Sequence, residues 1–408
     1  MQQQTSPALS LNNVYQPEYI ADPYPLYQRL RETDPVFWDE TLNAWVLTSY
    51  ADAVVMLRDP RFSAVRFVTD TNQIPPEVVE ALGSPMRALT RQMLFLDPPD
   101  HTRLRGLVAK AFTPRVVEAM RTHIQEIVDR LLDAAQSSGQ IELMGQFANP
   151  LPAIVIAEML GVPAEDRDKF TVWSAHFGSL LEGKDMTMEE MVQAFLGVSA
   201  FMDYFRGIIA ARRTTPKDDL LQAMIDAEVG GDVLGEEELL GNCVLILAAG
   251  HITTTHLIGN GMLALLNNPE QYELLKHNPD IVSLAVMELL RYDSPVQATA
   301  RVLKEDLVLR DKQLKAGDHV LASLGAANRD PAQFTAPDSL DLSRVENRHL
   351  AFGQGVHFCL GAPLARLEAE VAFSTLVRRL RNPRLVEDVQ WYPGMVFRGL
   401  QGLAIAFD

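Results

Sequence analysis

The amino-acid sequence predicts a mainly α-helical protein with small β-sheets, folded as a single domain. Apolar residues recur at helical spacing along most of the 408 residues, whereas strand-like runs are few and short. No internal repeat or low-complexity linker divides the chain, and 47% hydrophobic residues are enough for one large core. We therefore expect a mobile N-terminal tail over residues 1–15 and one domain over residues 16–408.

The helices are predicted from segments that carry apolar residues on one face and charged residues on the other. In chain order these are DPYPLYQRLRE, TPRVVEAMRTHIQEIVDRLLDAA, PAEDRDKFTVWSAHFGSLL, MTMEEMVQAFLGVSAFMDYFRGIIAARR, DDLLQAMIDAE, EEELLGNCVLILAAG, PDIVSLAVMELLRY and APLARLEAEVAFSTLVRRL. Three shorter segments predict strands. These are PVFWDETLNAWVLTS as a hairpin, ATARVLKEDLVLRDKQLKAGDHVLAS as a small sheet and GLAIAF as a terminal strand.

Charge and cysteine content exclude several classes of protein. The formal net charge is −17, so the phosphates of a nucleic acid or an anionic membrane would be repelled on average. The two cysteines, Cys243 and Cys359, cannot form a disulfide framework, which favours a reduced, cytoplasmic setting. The longest apolar stretch, residues 241–266, is interrupted by polar residues such as His251 and Asn260. It therefore indicates a buried helix, and we expect no membrane span, no signal peptide and no nucleic-acid partner.

The stretch FGQGVHFCLG places Cys359 between a glycine-rich loop and a helix. Gly353 and Gly355 permit positive φ angles, and Pro363 suits the first turn of the following helix. The positive end of a helix dipole favours a thiolate over a thiol at Cys359. Three interpretations follow: a buried structural cysteine, a nucleophile with His357 as its base, and a thiolate ligand to iron. A histidine two residues away in a tight loop is badly placed to act as the base.

This stretch resembles the heme-binding loop of the cytochrome P450 family at every restricted position. The matching residues are Phe352, Gly353, Gly355, His357, Cys359, Leu360 and Gly361. The chain is similar to that family from near Tyr24 to its C-terminus. The resemblance implies that Cys359 is the axial ligand to the iron of heme b, that Gly353 shapes the loop, and that Phe352 packs near the proximal face. Thiolate donation to iron favours cleavage of the O–O bond, the chemistry of a heme-thiolate monooxygenase.

A second motif, ELLR, places Glu288 and Arg291 three residues apart on one helical face. Such pairs are usually solvated, but this one follows an apolar run and resembles the ExxR helix of the family. Arg344, in DLSR, resembles the third member of the buried charge cluster that accompanies that helix. The resemblance implies a structural role, because the cluster would hold the proximal loop in place.

Cationic donors must surround the two propionates of heme. In DPPDHTRLR, His101 and Arg105 are four residues apart on one helical face, and this segment resembles the propionate-binding helix of the family. By the same resemblance Arg301 and His357 complete the set. Each of these residues taken alone is typical of solvated or capping positions.

The segment AAGHITTTH predicts the distal side of the pocket. Three consecutive β-branched threonines follow Gly250, and their hydroxyls can bond the carbonyls one turn earlier, so a kink or widened turn is expected. A helix–helix contact through the small residues is the alternative. The resemblance implies that Thr253 orients dioxygen and its proton. Ile252 occupies the position where the family carries an acid, so the usual side-chain path for protons lacks one step.

The substrate is predicted to be a small apolar molecule, because Met, Phe, Leu and Ala predominate in the expected pocket walls. These walls are residues 66–96, residues 170–188, the distal helix, SPVQAT and the C-terminal loop; the individual pocket candidates are Leu94, Ala248, Ala249, Val296 and Phe397. The chain carries no fused reductase, so the resemblance implies a separate ferredoxin or flavodoxin with its NAD(P)H-dependent reductase. We expect a monomer. Two alternatives stay open: a peroxide-driven or isomerising heme-thiolate enzyme, and a non-catalytic protein that binds heme or a ligand.

Overall fold

The structure is a computed structural model that describes residues 9–66, 76–136, 138–182, 186–217, 219–229 and 235–408. Its helices are α1 Pro17–Ile20, α2 Tyr24–Thr33, α3 Tyr50–Arg58, α4 Pro76–Thr90, α5 Asp100–Val108, α6 Pro114–Glu118, α7 Arg121–Gln136, α8 Pro150–Met159, α9 Arg167–Leu181, α10 Met188–Thr214, α11 Leu220–Val229, α12 Glu236–Asn267, α13 Pro269–His277, α14 Val282–Tyr292, α15 Leu324–Ala327 and α16 Ala362–Arg379. Its strands are β1 Val36–Asp39, β2 Ala44–Leu47, β3 Phe62–Ser63, β4 Gln140–Glu142, β5 Ala298–Leu303, β6 Leu307–Leu309, β7 Lys312–Leu314, β8 His319–Ser323, β9 Arg384–Leu385 and β10 Ala404–Ala406.

The predicted fold class is confirmed, because helices dominate and the strands form small sheets. One sheet has the order β1-β2-β8-β5-β3, a second has the order β4-β10-β9, and β6 pairs with β7. The predicted hairpin is β1–β2, with Trp38 opposite Trp45. Asn43, at φ +47°, supplies the left-handed backbone that closes its turn. The predicted terminal strand is β10.

Helix α12 is the centre of the molecule. It packs against α4, α8, α9, α10, α14 and α16, and most of its side chains are buried. A helix that is apolar on all sides must be covered on all sides, which explains why the other long helices surround it. Its middle therefore has a fixed position relative to the N-terminus of α16, where the predicted cysteine loop ends.

Two local features bear on the predicted tail and on the predicted distal helix. The predicted tail, residues 1–15, includes a 3₁₀ helix over Leu11–Tyr15 in which Leu11 and Val14 are buried. The Ser10 hydroxyl and the Leu11 N–H donate hydrogen bonds to the buried carboxylate of Asp39. These contacts hold this part of the tail against the domain. Residues 1–8 of the predicted tail lie outside the described residues.

The distal helix is predicted to kink or widen at its threonines, and no widened turn occurs at these described residues. Helix α12 is continuous through Thr253, although the threonine hydroxyls do bond back to carbonyls as expected. A widened π-helical turn occurs instead at Met144–Ala148, which packs against α12. The packing of neighbouring helices keeps α12 helical through its threonines, despite their weak helical preference.

Within the described part of the chain, α10 and α12 are long and apolar enough to span a membrane. The most apolar window of α12 is largely buried inside the protein, and that of α10 is one-third buried. For α12 this is the burial expected of a core helix rather than of a span.

Candidate active site

A cavity of about 590 Å³ separates the middle of α12 from the loop that carries Cys359. Its surface is mostly apolar. Of the predicted pocket residues, Leu94, Ala249, Val296 and Phe397 line it. Ala248 is fully buried and is not among the described residues that line the cavity, so its predicted contact with a substrate stays a prediction.

The loop before α16 directs Cys359 into this cavity. Gly353 and Gly355 adopt φ angles of +67° and +71°, as their sequence positions predict. A Cβ on Gly355 would lie 2.4 Å from the carbonyl oxygen of Leu57, so this position excludes every larger residue. The Cys359 N–H donates to the carbonyl of Phe352 at 2.8 Å and closes the loop.

The environment of Cys359 does not favour a free thiolate. Burial raises the pKa of its thiol, while the N–H groups of Gly361 and Ala362 and the charge of Arg105 act in the opposite direction. The predicted effect of the helix N-terminus is present, but burial outweighs it. A nucleophilic cysteine needs a lowered pKa, whereas a metal ion deprotonates a coordinating thiol outright. The geometry therefore fits a metal ligand better than a nucleophile.

Cationic and neutral nitrogen donors lie beside the cavity. The rings of His101 and His357 are in contact, with centroids 4.1 Å apart and planes tilted by 45°. Burial lowers the pKa of His101 and lowers that of His357 to about 3. The buried Nδ1 atom of His101 has no hydrogen-bond partner among the described residues. Arg105 donates to the carbonyl of Phe358 at 2.6 Å, and Arg301 donates to the carbonyl of Ala300 at 2.7 Å.

These donors fit the carboxylates of heme. Neither Arg105, which is half-buried, nor Arg301, which is buried, pairs with an acidic residue in the described part of the chain. A buried cation without a counterion calls for an anionic ligand. His101 keeps an unused nitrogen, which a carboxylate oxygen would satisfy. Cys359 supplies the one thiol that lines the same cavity among the described residues. The residues present therefore fit an iron porphyrin with two propionates.

The predicted charge cluster assembles beneath this site. Glu288 and Arg291 are fully buried and form a two-pronged ion pair, with N–O distances of 2.8 and 2.7 Å. Arg344 reaches the same carboxylate at 3.1 Å, and the Asn347 amide donates to it at 3.0 Å. Arg291 also donates to the carbonyls of residues 328, 337 and 339, in the irregular segment that leads to the cysteine loop. The cluster thereby holds that segment against α14.

The distal wall is formed by α12. Thr253 lines the cavity, and its hydroxyl donates to the carbonyl of Ala249 at 3.2 Å. Ile252 lines the cavity with an apolar side chain. Gly250 lines it too and packs against Ile156 of α8, where an added Cβ would lie 2.6 Å away. The small residues of α12 thus serve both the pocket and a helix–helix contact, the two alternatives that the sequence left open.

The remaining predicted walls are partly observed. Arg66, Met93 and Leu94 line the cavity, as do Phe177, Leu180 and Leu181 of α9. Val296 and Phe397 face each other across an isolated backbone bridge, so two distant parts of the chain form one wall. Residues 67–75 and 183–185 of the predicted walls lie outside the described residues.

Two charged residues at the cavity carried no recognisable signal in the sequence. Glu182, just after α9, and Arg66, just after β3, both line it. Neither belongs to a short motif, and the backbone partners Phe397 of Glu182 and Ala300 of Arg66 lie more than 200 residues away along the chain. Their position at the cavity is evident only from these long-range contacts.

The chain matches the family described as cytochrome P450 over residues 41–382. The polyketide biosynthesis cytochrome P450 PksS of Bacillus subtilis (strain 168) is 39% identical over 403 residues, which cover 96% of this chain and 97% of the relative. The structure of P450BioI with a hexadec-9Z-enoic acid ligated acyl carrier protein superposes with a TM-score of 0.90 at 37% identity, over 96% of this chain and 100% of that one. Myxobacterial CYP267B1 with myristic acid gives a TM-score of 0.87 at 40% identity, over 97% and 99%.

Proposed function

The chain belongs to the cytochrome P450 family of heme b-binding, oxygenating oxidoreductases, and on that premise we propose that it inserts one oxygen atom from dioxygen into a small apolar molecule. The product would be an alcohol or an epoxide, and the second oxygen atom would leave as water. The observation that carries this proposal is the apolar cavity between Cys359 and Thr253. A substrate in that cavity would be held between a metal-ligating thiol and a hydroxyl-bearing wall.

Cys359 is proposed as the axial ligand, and His101, Arg105, Arg301 and His357 as the donors to the propionates. When bound, heme supplies the reductive activation of dioxygen at an iron that the thiolate makes electron-rich. Gly353 and Gly355 shape the loop, and Phe352, which also lines the cavity, closes it by accepting a hydrogen bond from the Cys359 N–H. Glu288, Arg291 and Arg344 keep the loop in place without taking part in the chemistry.

Thr253 is proposed to handle protons on the distal side. Its hydroxyl donates to the carbonyl of Ala249, which leaves its oxygen free to accept a hydrogen bond from a water in the cavity. Thr254 also lines the cavity and bonds back to Gly250 at 3.4 Å. Because Ile252 has no ionisable group, protons must reach Thr253 through such water rather than through a carboxyl at position 252.

Electrons are proposed to come from a separate ferredoxin or flavodoxin, reduced by its NAD(P)H-dependent reductase. The cysteine loop exposes Val356 and Phe358, whose exposed fractions are 53% and 44%. Lys110, Arg115 and Arg348 are exposed on the flanking segments and would attract an acidic partner. We further propose a cytoplasmic monomer that acts on secondary metabolites, in keeping with the polyketide pathway named for the relative PksS.

The test is turnover of the purified holoprotein with a ferredoxin, its reductase, NADPH and isotopically labelled dioxygen. A panel of lipids, terpenes, steroids and polyketides is first screened for displacement of the sixth-ligand water in the heme spectrum. Compounds that bind should then yield products that carry one labelled oxygen atom. Binding without labelled product under any reductant would contradict the proposal.

A second candidate is a peroxide-driven or isomerising enzyme, and Ile252 favours it. Without an acid in the distal wall, no carboxyl delivers protons from solvent. Reaction steps that need such protons are therefore disfavoured relative to steps that do not. Product formed with hydrogen peroxide, and none formed with dioxygen and redox proteins, would establish this alternative. The non-catalytic binding protein considered from the sequence is not proposed, because the chain belongs to a family of enzymes.

A further inference from the structure

Arg66 is a charged residue at the cavity to which no role has been assigned. It follows β3, and its Nη1 atom donates to the carbonyl of Ala300 on β5 at 2.8 Å. Its guanidinium lies over the ring of Phe95, 4.9 Å from the ring centroid. These contacts fix the group at one end of the cavity, but they use only part of its five N–H donors.

The neighbourhood of Arg66 carries more positive than negative charge. Arg301 stands close enough to lower the pKa of Arg66, which burial and this repulsion bring to about 9. In the described part of the chain, Arg66 and Arg301 form no ion pair with an aspartate or glutamate, although Asp97 is near enough to raise the pKa of Arg301. Arg301 is buried and Arg66 is half-buried near it, and two such cations without a counterion are stabilised when an anion joins them.

The carboxylate of Asp97 already has partners other than the arginines. It accepts hydrogen bonds from the Ser63 hydroxyl at 2.7 Å and from the Ala64 N–H at 2.9 Å, and it pairs with Lys304 at 3.4 Å. The charge of Lys304 balances it, so Asp97 does not neutralise the arginines. The missing negative charge must come from a bound molecule.

The negative charges of the heme propionates do not balance all the arginines at the cavity. The two propionates supply two negative charges, whereas Arg66, Arg105 and Arg301 supply three positive ones. One guanidinium is therefore either a third donor to the propionates or available for another anion.

We propose that Arg66 binds a carboxylate at the end of the cavity beside Ala300. That carboxylate belongs either to a heme propionate or to an apolar substrate that carries an acid group. The second source rests on the proposed function, whereas the first requires only the cofactor. Arginine suits either source, because its planar fork of donors matches a carboxylate.

The test compares Arg66→Gln with Arg66→Lys in the full-length holoprotein. Glutamine keeps a donor but removes the charge, and lysine keeps the charge but loses the fork. Arg61→Gln is the matched control, because Arg61 lies on the same segment and pairs with Asp59 outside the cavity. Normal absorption spectra of the heme-thiolate centre establish that each variant is folded and loaded.

One measurement is the rate at which heme passes from each variant to apomyoglobin. Loss of one charged hydrogen bond corresponds to about a tenfold to hundredfold change in an equilibrium. If Arg66 holds a propionate, Arg66→Gln should release heme at least about tenfold faster than wild type, and Arg66→Lys should lie between the two.

The other measurement is the ratio of dissociation constants for dodecanoic acid and its methyl ester, obtained from spectral titration. If Arg66 holds a substrate carboxylate, Arg66→Gln should reduce the preference for the acid about tenfold while heme release stays at the wild-type rate. If neither ligand perturbs the wild-type spectrum, heme release alone decides the question.

Heme release and ligand preference that both stay within about twofold of the Arg61→Gln control would overturn the inference. Neither measurement requires turnover. A protein that fails to insert oxygen therefore contradicts the proposed function, yet it still reports on Arg66.

Discussion

The carboxylate of Glu182 accepts a hydrogen bond from the backbone N–H of Phe397 at 3.1 Å, which ties the end of α9 to the C-terminal loop. The same carboxylate accepts from the N–H of Val396 at 3.0 Å, from the N–H of Met395 and from the hydroxyl of Tyr15. Burial raises the pKa of Glu182, and the three N–H groups partly offset this. Glu182 thus positions a wall of the cavity through backbone contacts.

Glu182→Ala should loosen that wall, because three backbone N–H groups lose their acceptor. We expect the free energy of unfolding to fall by about 1–3 kcal/mol and the products from one substrate to become less uniform. Denaturant titration and product analysis measure the two effects. Glu387→Gln, at an exposed position in a loop, should change neither. An unchanged product distribution in Glu182→Ala would show that the carboxylate does not shape the pocket.

Arg291→Leu should destabilise the protein by about 3–5 kcal/mol, because it leaves the fully buried carboxylate of Glu288 without its main partner. Arg344→Leu should cost less, since Arg344 makes one contact to that carboxylate and is partly exposed. Denaturation midpoints and the heme content of the purified protein give the order of the two variants. Equal losses would mean that the cluster acts as one indivisible unit.

Ile252→Glu should increase the amount of product formed per NADPH consumed, because it restores an ionisable group to the distal wall. Ile252→Gln is the matched control, since it has the same shape but cannot donate or recover a proton in the same way. The quantity measured is the ratio of product to oxidised cofactor, with peroxide release followed in parallel. A ratio that rises equally in both variants, or falls in Ile252→Glu, would exclude a missing relay as the limit on turnover.

Cys359→Ser should abolish the absorption spectrum of thiolate-ligated heme, because the hydroxyl of serine stays protonated and is a poor ligand. Cys243→Ser should retain that spectrum, since Cys243 is buried within α12 and does not line the cavity. Absorption spectra of the reduced protein with carbon monoxide separate the two variants. Retention of the thiolate spectrum in Cys359→Ser would contradict the assignment of the ligand.

Acidification should destabilise the protein through His256. Burial, with a smaller effect of His251, lowers the pKa of His256 from 6.5 to about 4, so the folded protein binds its proton less readily than the unfolded chain. Stability is therefore retained above about pH 6.5 and lost as the pH falls towards 4. At pH 5 this one group accounts for a loss of about 2 kcal/mol.

His256→Gln should reduce the slope of unfolding free energy against pH between pH 6.5 and about pH 4. The ring of His256 packs against Gly399, so the variant is compared with itself across pH rather than with wild type at one pH. His277→Gln, at an exposed histidine, is the control and should leave the slope unchanged. A slope that His256→Gln does not alter would place the acid sensitivity in other groups.

The geometry of the loop that carries Cys359 was predictable because its signals are local. The glycines that permit positive φ, the cysteine and the helix-starting proline lie within about ten residues, so their spacing alone restricts the geometry. The pair Glu288 and Arg291 is local in the same way, and its burial followed from the apolar run beside it.

The sequence could not show which face of α12 turns towards the cavity, nor whether the threonines interrupt the helix. Which face of α12 turns towards the cavity depends on how α8, α9 and α16 pack around it. The threonines weaken the helix locally, but packing on all sides decides whether it bends.

The sequence by itself determined the helical fold, the thiol that faces the cavity and the buried charge pair, because each rests on periodicity or short-range spacing. The tertiary structure alone decided which charges meet at the cavity. Arg66 acts beside Ala300 and Glu182 beside Phe397, partners separated by more than 200 residues. No local pattern encodes such contacts, since they exist only once the packed helices bring distant loops together.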